Sequence, residues 1–332
     1  MAAVELVCPA GGLPALKAAV DEGADWVYLG LRDDTNARNF PGLNFDPASL
    51  RAGLAYAHAR RRKVLVAINT YPQAASWRRW TAAVDRAAGL GADAAIVADA
   101  ALLRYAARTY PGLELHLSVQ GSASSYEAIN FFHEHFGVKR AVLPRVLSLQ
   151  QVELVARRTP VEIEVFGFGG LCVMVEGRCA LSAYACGDSP NMAGACSPAH
   201  AVRWREHDGS LEARLGGVLI DRYAKGERAA YPTVCKGRYS AGCATYYTFE
   251  EPASLNTLEL IPELGRIGVK AVKIEGRQRS PAYVAQVTRV WREALDAWKA
   301  GAFAPRPAWM AALDRHAEGS QHTLGAFSRP WK

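Results

Sequence analysis

Val64-Leu-Val-Ala-Ile68 is a short apolar run that is followed by an amphipathic stretch, residues 76–88, and then by a second apolar run, Ala94-Ala-Ile-Val-Ala98. Continuous apolar runs of this length are typical of strands buried on both faces, and a 3.6-residue apolar period is typical of a helix packed on them. Because parallel strands need a crossover connection, this order predicts a βαβ unit with a parallel sheet.

The same alternation recurs along the chain and gives eight units. The other predicted strands are residues 5–8, 26–29, 113–119, 140–143, 161–166 and 270–274. The other predicted helices are residues 13–21, 47–60, 100–109, 125–136, 148–158, 255–267 and 282–299. Eight consecutive units predict an α/β fold of the (β/α)8 TIM-like barrel type, with an open doubly wound sheet as the alternative.

The composition is that of an ordinary globular protein. The chain has 332 residues, half of them hydrophobic, and 39 Lys and Arg against 32 Asp and Glu give a net charge of +7. These values exclude disordered and collagen-like classes. Charged residues or glycine interrupt the longest apolar runs, and the first ten residues lack the basic and then apolar layout of a secretion signal. We therefore expect a cytoplasmic protein without a transmembrane segment.

The seventh and eighth predicted strands are separated by residues 167–269, far more than any other pair. We expect a long insertion here, with a small β layer over residues 201–206, 209–215 and 246–249 and a hairpin turn at Asp208-Gly209. An insertion that follows the carboxyl end of a strand lies on the catalytic face of a barrel. The predicted organisation is residues 1–171 for the first seven units, 172–252 for the insertion, 253–300 for a final helix, strand and helix, and 301–332 for a tail.

Six of the seven cysteines lie in this insertion, between Cys172 and Cys243. An odd, clustered set in a chain without a signal sequence indicates a metal or cluster site more than a disulfide framework. Four thiolates can hold tetrahedral zinc or an iron–sulfur cluster. The spacing Cys172-x6-Cys179-x6-Cys186-x9-Cys196 contains no C-x2-C knuckle, so spacing alone leaves zinc, a cluster and unligated thiols open.

Two adjacent segments carry a resemblance to a known family. Glu164-Val-Phe-Gly-Phe-Gly-Gly-Leu-Cys172 and Val173-Met-Val-Glu-Gly-Arg-Cys179-Ala-Leu-Ser182 resemble the signature of the collagenase-like peptidase family of unassigned catalytic type. The signature has Ser or Ala where this chain has Gly170. Other motifs resemble the members of that family that act in ubiquinone biosynthesis: Asp33-Asp-Thr-Asn-Ala-Arg-Asn-Phe40, Leu143-Pro-Arg145 and Lys273-Ile-Glu-Gly-Arg-Gln-Arg-Ser-Pro281.

The resemblance implies a cofactor, a reaction and partners. It implies a [4Fe–4S] cluster held by four cysteines: Cys172, Cys179, Cys196 and Cys235. It also implies hydroxylation of the aromatic ring of a lipid-linked ubiquinone precursor without molecular oxygen, together with a paralogue, UbiV, and a lipid-binding accessory protein, UbiT, and without nucleic acid. The remaining thiols fall where the family does not require cysteine; we interpret Cys186 and Cys243 as extra, and Cys8 as the end of a strand.

Charged residues at the predicted strand ends are candidates for substrate contacts. They are Arg145, Glu275, Arg277 and Arg279, which we expect at the mouth of the barrel. Guanidinium groups bind carboxylates in a bidentate fork, so the three arginines suit a dicarboxylate. Relatives that hydroxylate RNA bases depend on prephenate, which makes prephenate a hypothetical oxygen donor here. The structural alternative is that Arg277 and Arg279 pair with Glu275 or Asp99.

Other functions remain open on the sequence alone. One is an RNA-base hydroxylase, and another is a peptidase, although the sequence has neither a Ser-His-Asp order nor a His-Glu-x-x-His motif. A scaffold in which the partner performs the chemistry is a third. Asn36, Arg38 and Asn44, in the loop after the second predicted strand, are either site residues or turn formers.

Overall fold

A computed structural model describes residues 4–329, and its centre is a closed barrel of eight parallel strands. The strands are β1 (Glu5–Pro9), β2 (Trp26–Gly30), β3 (Lys63–Ile68), β4 (Ala94–Val97), β5 (Glu114–Leu117), β6 (Arg140–Val142) and β7 (Glu162–Gly170), with the eighth at Ala271–Ile274. The eighth strand pairs in parallel with both β7 and β1, which closes the sheet. The (β/α)8 prediction is confirmed, and the open-sheet alternative is wrong.

The helices lie outside the barrel, and most of them occupy the predicted segments. They are α1 (Leu13–Asp21), α2 (Pro47–His58), α3 (Trp77–Gly89), α4 (Ala100–Thr109), α5 (Tyr126–Phe136) and α6 (Leu149–Arg158). Asp46 caps α2 by accepting a 2.8 Å hydrogen bond from the backbone N–H of Ser49, as its position before Pro47 suggests. Within the described range, no helix combines the length and hydropathy that crossing a membrane requires.

The insertion contains two short helices and two small antiparallel sheets. Its elements are α7 (Leu181–Cys186), α8 (Pro190–Ala193), β8 (Val202–His207), β9 (Ser210–Leu215), β10 (Val218–Tyr223), β11 (Arg238–Ala241) and β12 (Ala244–Tyr247). Asp208 and Gly209 both have positive φ, so the predicted hairpin turn is confirmed. The third predicted strand is displaced: residues 244–247 pair with β11 in a separate hairpin, and β10 completes the three-stranded sheet.

The segment after the insertion corrects one prediction. The apolar period over residues 255–267 predicts one helix, but the segment begins as β13 (Ser254–Asn256), which pairs antiparallel with the end of β7. The helix α9 (Ile261–Arg266) starts only later, with Pro262 in its first turn. The remaining elements are the eighth barrel strand β14 (Ala271–Ile274), α10 (Pro281–Lys299), α11 (Pro307–Asp314) and β15 (His322–Thr323). The predicted tail is thus partly helical, and its last three residues lie outside the described range.

The barrel interior is apolar over much of its depth but carries charge on three neighbouring strands, β6, β7 and the eighth strand. Lys273 donates a 2.7 Å hydrogen bond to Glu164, and Arg140 lies 3.7 Å from the other oxygen of that carboxylate. His116 is completely buried beside Glu114 and is also an interior residue. These pairs fix one arrangement of the interior, and they lie below the residues at the carboxyl ends of the strands.

Candidate functional site

The four cysteines predicted as ligands come from four separate segments above the barrel. Cys172 directly follows β7, Cys179 precedes α7, Cys196 follows α8, and Cys235 lies in a turn after β10. All four are partly buried. The thiol of Cys235 interacts electrostatically with those of Cys196 and Cys179, and the thiol of Cys172 interacts with that of Cys235. The fold therefore brings together residues that are 63 positions apart at their extremes.

Burial dominates the electrostatics of two of these thiols. It raises the pKa of Cys172 to about 12 and that of Cys235 to about 11, because the charged thiolate is disfavoured away from water. A bound cation reverses this effect, since metal ligation stabilises the thiolate form. Within residues 4–329, no three His, Cys, Asp or Glu side chains converge on one point closely enough to hold a single metal ion.

The other cysteines have different surroundings. Cys186 donates a 3.0 Å hydrogen bond from its sulfur to the carbonyl of Ser182 within α7. Cys243 is exposed at the turn between β11 and β12. Cys8 is buried in β1, where it accepts a hydrogen bond from the hydroxyl of Thr288. Cys8 thus lies near the end of a strand, as predicted, and the interpretation of Cys186 and Cys243 as extra thiols stays a prediction.

Arg277 lies buried at the carboxyl end of the barrel and has a neutral partner. Its side chain donates a 2.9 Å hydrogen bond to the amide oxygen of Asn36, and the residue is 3% exposed. Among the described residues, no carboxylate lies within ion-pair distance of its guanidinium. Gly30 makes room for it, because a Cβ there would lie 2.3 Å from a guanidinium nitrogen. Burial lowers the pKa of Arg277 to about 10, so the group remains a cation at neutral pH.

Arg145 is also buried, but its charge is matched. Its Nε donates a 2.8 Å hydrogen bond to the carboxylate of Glu176, and another nitrogen donates to the carbonyl of Gly170. The side chains of Arg145 and Glu176 are 6% and 5% exposed. The pair ties the start of the insertion to the end of β6. Arg145 thus contacts the chain on both sides of Cys172, at Gly170 and at Glu176.

Glu275 and Arg279 lie on the same loop but face different surroundings. Glu275 is 3.6 Å from Arg38, and its other oxygen accepts a hydrogen bond from the N–H of Gly170. Although burial alone raises the pKa of Glu275, the charges of Arg38 and Arg145 outweigh it and hold the pKa below its usual value. Arg279 is exposed, lies over the ring of Tyr283 and donates to the carbonyl of His316.

The alternative in which Arg277 and Arg279 pair with Glu275 or Asp99 does not occur in the structure. Arg38, which the sequence assigns either to a site or to a turn, is the arginine that pairs with Glu275. The Asp33–Phe40 motif indicates that Arg38 is a candidate site residue, but the motif does not show that Glu275 is its partner. Asp99 instead caps α4 by accepting from the N–H of Leu102.

The fold and the site together define a TIM-like barrel with a cysteine-rich insertion above its mouth. The chain belongs to peptidase family U32, which matches residues 11–329. It is 31% identical over 320 residues to tRNA hydroxylation protein P of Escherichia coli, covering 90% of this chain and 69% of that protein. It is 32% identical to the uncharacterized protease MJ0090 of Methanocaldococcus jannaschii, covering 91% of this chain and 68% of that protein. It is also 28% identical to 23S rRNA 5-hydroxycytidine C2501 synthase of Escherichia coli, and that match covers 89% of this chain but only 39% of that protein.

Proposed function

We propose that this chain is a UbiU-like subunit of an iron–sulfur hydroxylase that acts on the aromatic ring of a ubiquinone precursor without molecular oxygen. The observation that supports the proposal is a set of four partly buried cysteines in the insertion, Cys172, Cys179, Cys196 and Cys235, whose thiols interact electrostatically, next to a barrel mouth where the buried Arg277 has a neutral hydrogen-bond partner. Relatives named for tRNA and rRNA hydroxylation support a hydroxylase. The motifs that contain Arg38, Arg145 and Glu275 favour the ubiquinone branch.

The donor set fits a [4Fe–4S] cluster. Four thiols are the usual ligands of such a cluster; they can also hold structural zinc, whereas catalytic zinc sites usually include His. Cys172, Cys179, Cys196 and Cys235 would hold the cluster. When bound, the cluster supplies one-electron redox chemistry.

Arg277 then has a defined role at the mouth of the barrel. A buried guanidinium without a carboxylate partner is costly unless an anion compensates it, and its fork geometry suits a carboxylate. We assign it the binding of an anionic co-substrate, for which prephenate, a dicarboxylate, is the hypothetical oxygen donor. Asn36 orients the guanidinium through the 2.9 Å hydrogen bond.

Replacing Arg277 by Gln is expected to weaken prephenate binding at least tenfold. A hydrogen bond to a charged group contributes roughly 1.5–3 kcal/mol, and about 1.4 kcal/mol corresponds to a factor of ten in affinity. Isothermal titration calorimetry of the anaerobically purified protein measures the change. Arg104→Gln, on the exposed face of α4, is the control and should keep wild-type affinity. Equal affinities for wild type and Arg277→Gln would contradict the assignment.

The substrate class sets the expected partners. A prenylated ring is nearly insoluble in water, so a lipid-binding protein must deliver it, and the UbiT-like accessory protein fits that need. The UbiV paralogue is the proposed second subunit. We expect the complex to act in the cytoplasm.

An RNA-base hydroxylase is the second candidate, and one observation favours it. The three-stranded sheet of the insertion pairs Arg203 with Arg214, and Glu212 lies between Arg205 and Arg222 on the same face. Glu212 forms ion pairs with both Arg214 and Arg222, but four arginines against one glutamate leave this face positively charged and suited to an anion. A phosphate backbone is one such anion.

One experiment separates the two candidates. The chain and its paralogue are expressed in a host that lacks both genes and is grown without oxygen, and ubiquinone and hydroxylated nucleosides are quantified by mass spectrometry. We expect restoration of ubiquinone by wild type, and loss of at least tenfold with Cys172→Ser. Restoration of hydroxylated nucleosides without ubiquinone would replace the proposal by the RNA candidate. Restoration of neither would reject both.

A further inference from the structure

Arg38 adopts a backbone conformation that side chains rarely take. It lies in the loop between β2 and α2 with φ 73°. For a residue other than glycine, this left-handed conformation costs on the order of 1–2 kcal/mol. It persists where surrounding contacts over-determine it, and such positions cluster at functional sites.

The contacts that hold Arg38 come from the insertion and from its own loop. Its backbone N–H donates a 2.7 Å hydrogen bond to the carbonyl of Gly194, two residues before Cys196. Its carbonyl accepts from the side chain of Asn44 at 3.2 Å. Close packing adds to this, since a Cβ at Gly194 would lie 2.8 Å from the carbonyl oxygen of Asn36. The loop is therefore fixed against the segment that carries one predicted ligand.

The side chain of Arg38 reaches the segment that carries a second ligand. Its Nε lies 3.6 Å from Glu275, whose other oxygen accepts a 3.3 Å hydrogen bond from Gly170, two residues before Cys172. The guanidinium interacts electrostatically with the thiols of Cys196 and Cys172. The strained backbone thus places one cation where it interacts with two of the four cysteines and with the partly buried carboxylate of Glu275.

We infer that Arg38 is a positioning residue that raises the reduction potential of the cluster held by the four cysteines, an inference that rests on the proposed function. Reduction transfers one electron from an external reductant to the cluster and makes the cluster and its thiolates more negative by one charge. A nearby fixed cation stabilises that reduced form. The negative charge of Glu275 lowers the reduction potential, and its contact with Arg38 limits this lowering.

The test is a potentiometric titration of the anaerobically purified protein with its partner, in which the paramagnetic signal of the reduced cluster is followed. Dithionite is the reductant. Arg38→Gln is expected to keep its iron and to shift the reduction equilibrium about tenfold toward the oxidised form, which corresponds to 59 mV for one electron. Arg38→Lys should restore most of the shift because it keeps the charge. Arg32→Gln, on the same loop and paired with Asp46, should leave the potential unchanged.

The outcomes distinguish this inference from the proposed function. A wild-type potential in Arg38→Gln, or an equal shift in Arg38→Lys, overturns the electrostatic role of Arg38 and leaves the proposed function intact. If Arg38→Gln does not retain iron, Glu275→Gln decides: a less negative potential supports the inference, and an unchanged or more negative one overturns it. A wild type that binds no cluster overturns both.

Discussion

Changing any one of Cys172, Cys179, Cys196 or Cys235 to Ser is expected to remove most of the bound iron and to abolish ring hydroxylation. The four thiols come from separate segments of the insertion and interact with one another, so losing one leaves an incomplete ligand set. Serine is a poor ligand for iron in a cluster built on thiolates. Iron and sulfide analysis after anaerobic purification with the partner should give about four irons per wild-type chain.

The chain supplies its own controls for this experiment. Cys186 forms a hydrogen bond within α7, and Cys243 is exposed at a hairpin turn. The corresponding serine variants should keep wild-type iron and activity. Because cluster binding and folding of the insertion are coupled, circular dichroism must be measured for every variant. Iron loss in Cys186→Ser but not in Cys179→Ser would contradict the ligand assignment, and zinc in the wild type would reject the redox chemistry.

The barrel can be predicted from the sequence because local periodicity encodes it. Each parallel strand is a continuous apolar run, and each helix has an apolar face that fits the barrel wall. The helix predicted over residues 255–267 is wrong at its start because a contact distant in the sequence decides the structure there. Leu255 and Leu258 fit a helical period, but residues 254–256 extend the sheet of β7, and such a tertiary contact has no local signature. For β10, which the periodicity does not reveal, the Gly216-Gly217 turn before it is a local signal.

The candidate site is predictable in position but not in pairing. The strand ends of a barrel meet on one face, so the order of strands along the sequence is enough to place the arginines near the cysteines. Which arginine is neutralised depends on contacts across the fold: Glu176 pairs with Arg145, and Glu275 pairs with Arg38. Arg277 emerges as the uncompensated cation only after those pairs are assigned.

The pair of Arg145 and Glu176 predicts the second large effect, on stability. Arg145→Met is expected to lower the free energy of unfolding by about 3–5 kcal/mol, because it leaves the buried carboxylate of Glu176 without a partner. Urea denaturation, followed by circular dichroism, measures this loss. The matched control is Arg157→Met, which removes an exposed ion pair with Glu153 and should cost about 0.3–0.5 kcal/mol.

The double variant Arg145→Met with Glu176→Gln shows whether the loss comes from the unpaired charge. Replacing both partners of a buried pair is often close to neutral, so the double variant should recover most of the stability that Arg145→Met loses. The guanidinium carbon of Arg145 lies 4.1 Å from the centre of the Phe166 ring. A double variant as unstable as Arg145→Met would mean that this packing contributes more to the free energy of unfolding than the ion pair does. Because Arg145 contacts Gly170 and Glu176, which flank Cys172, recovery of stability should also bring recovery of bound iron. Stability without iron would instead assign the Arg145 guanidinium a direct part in holding the cluster site together.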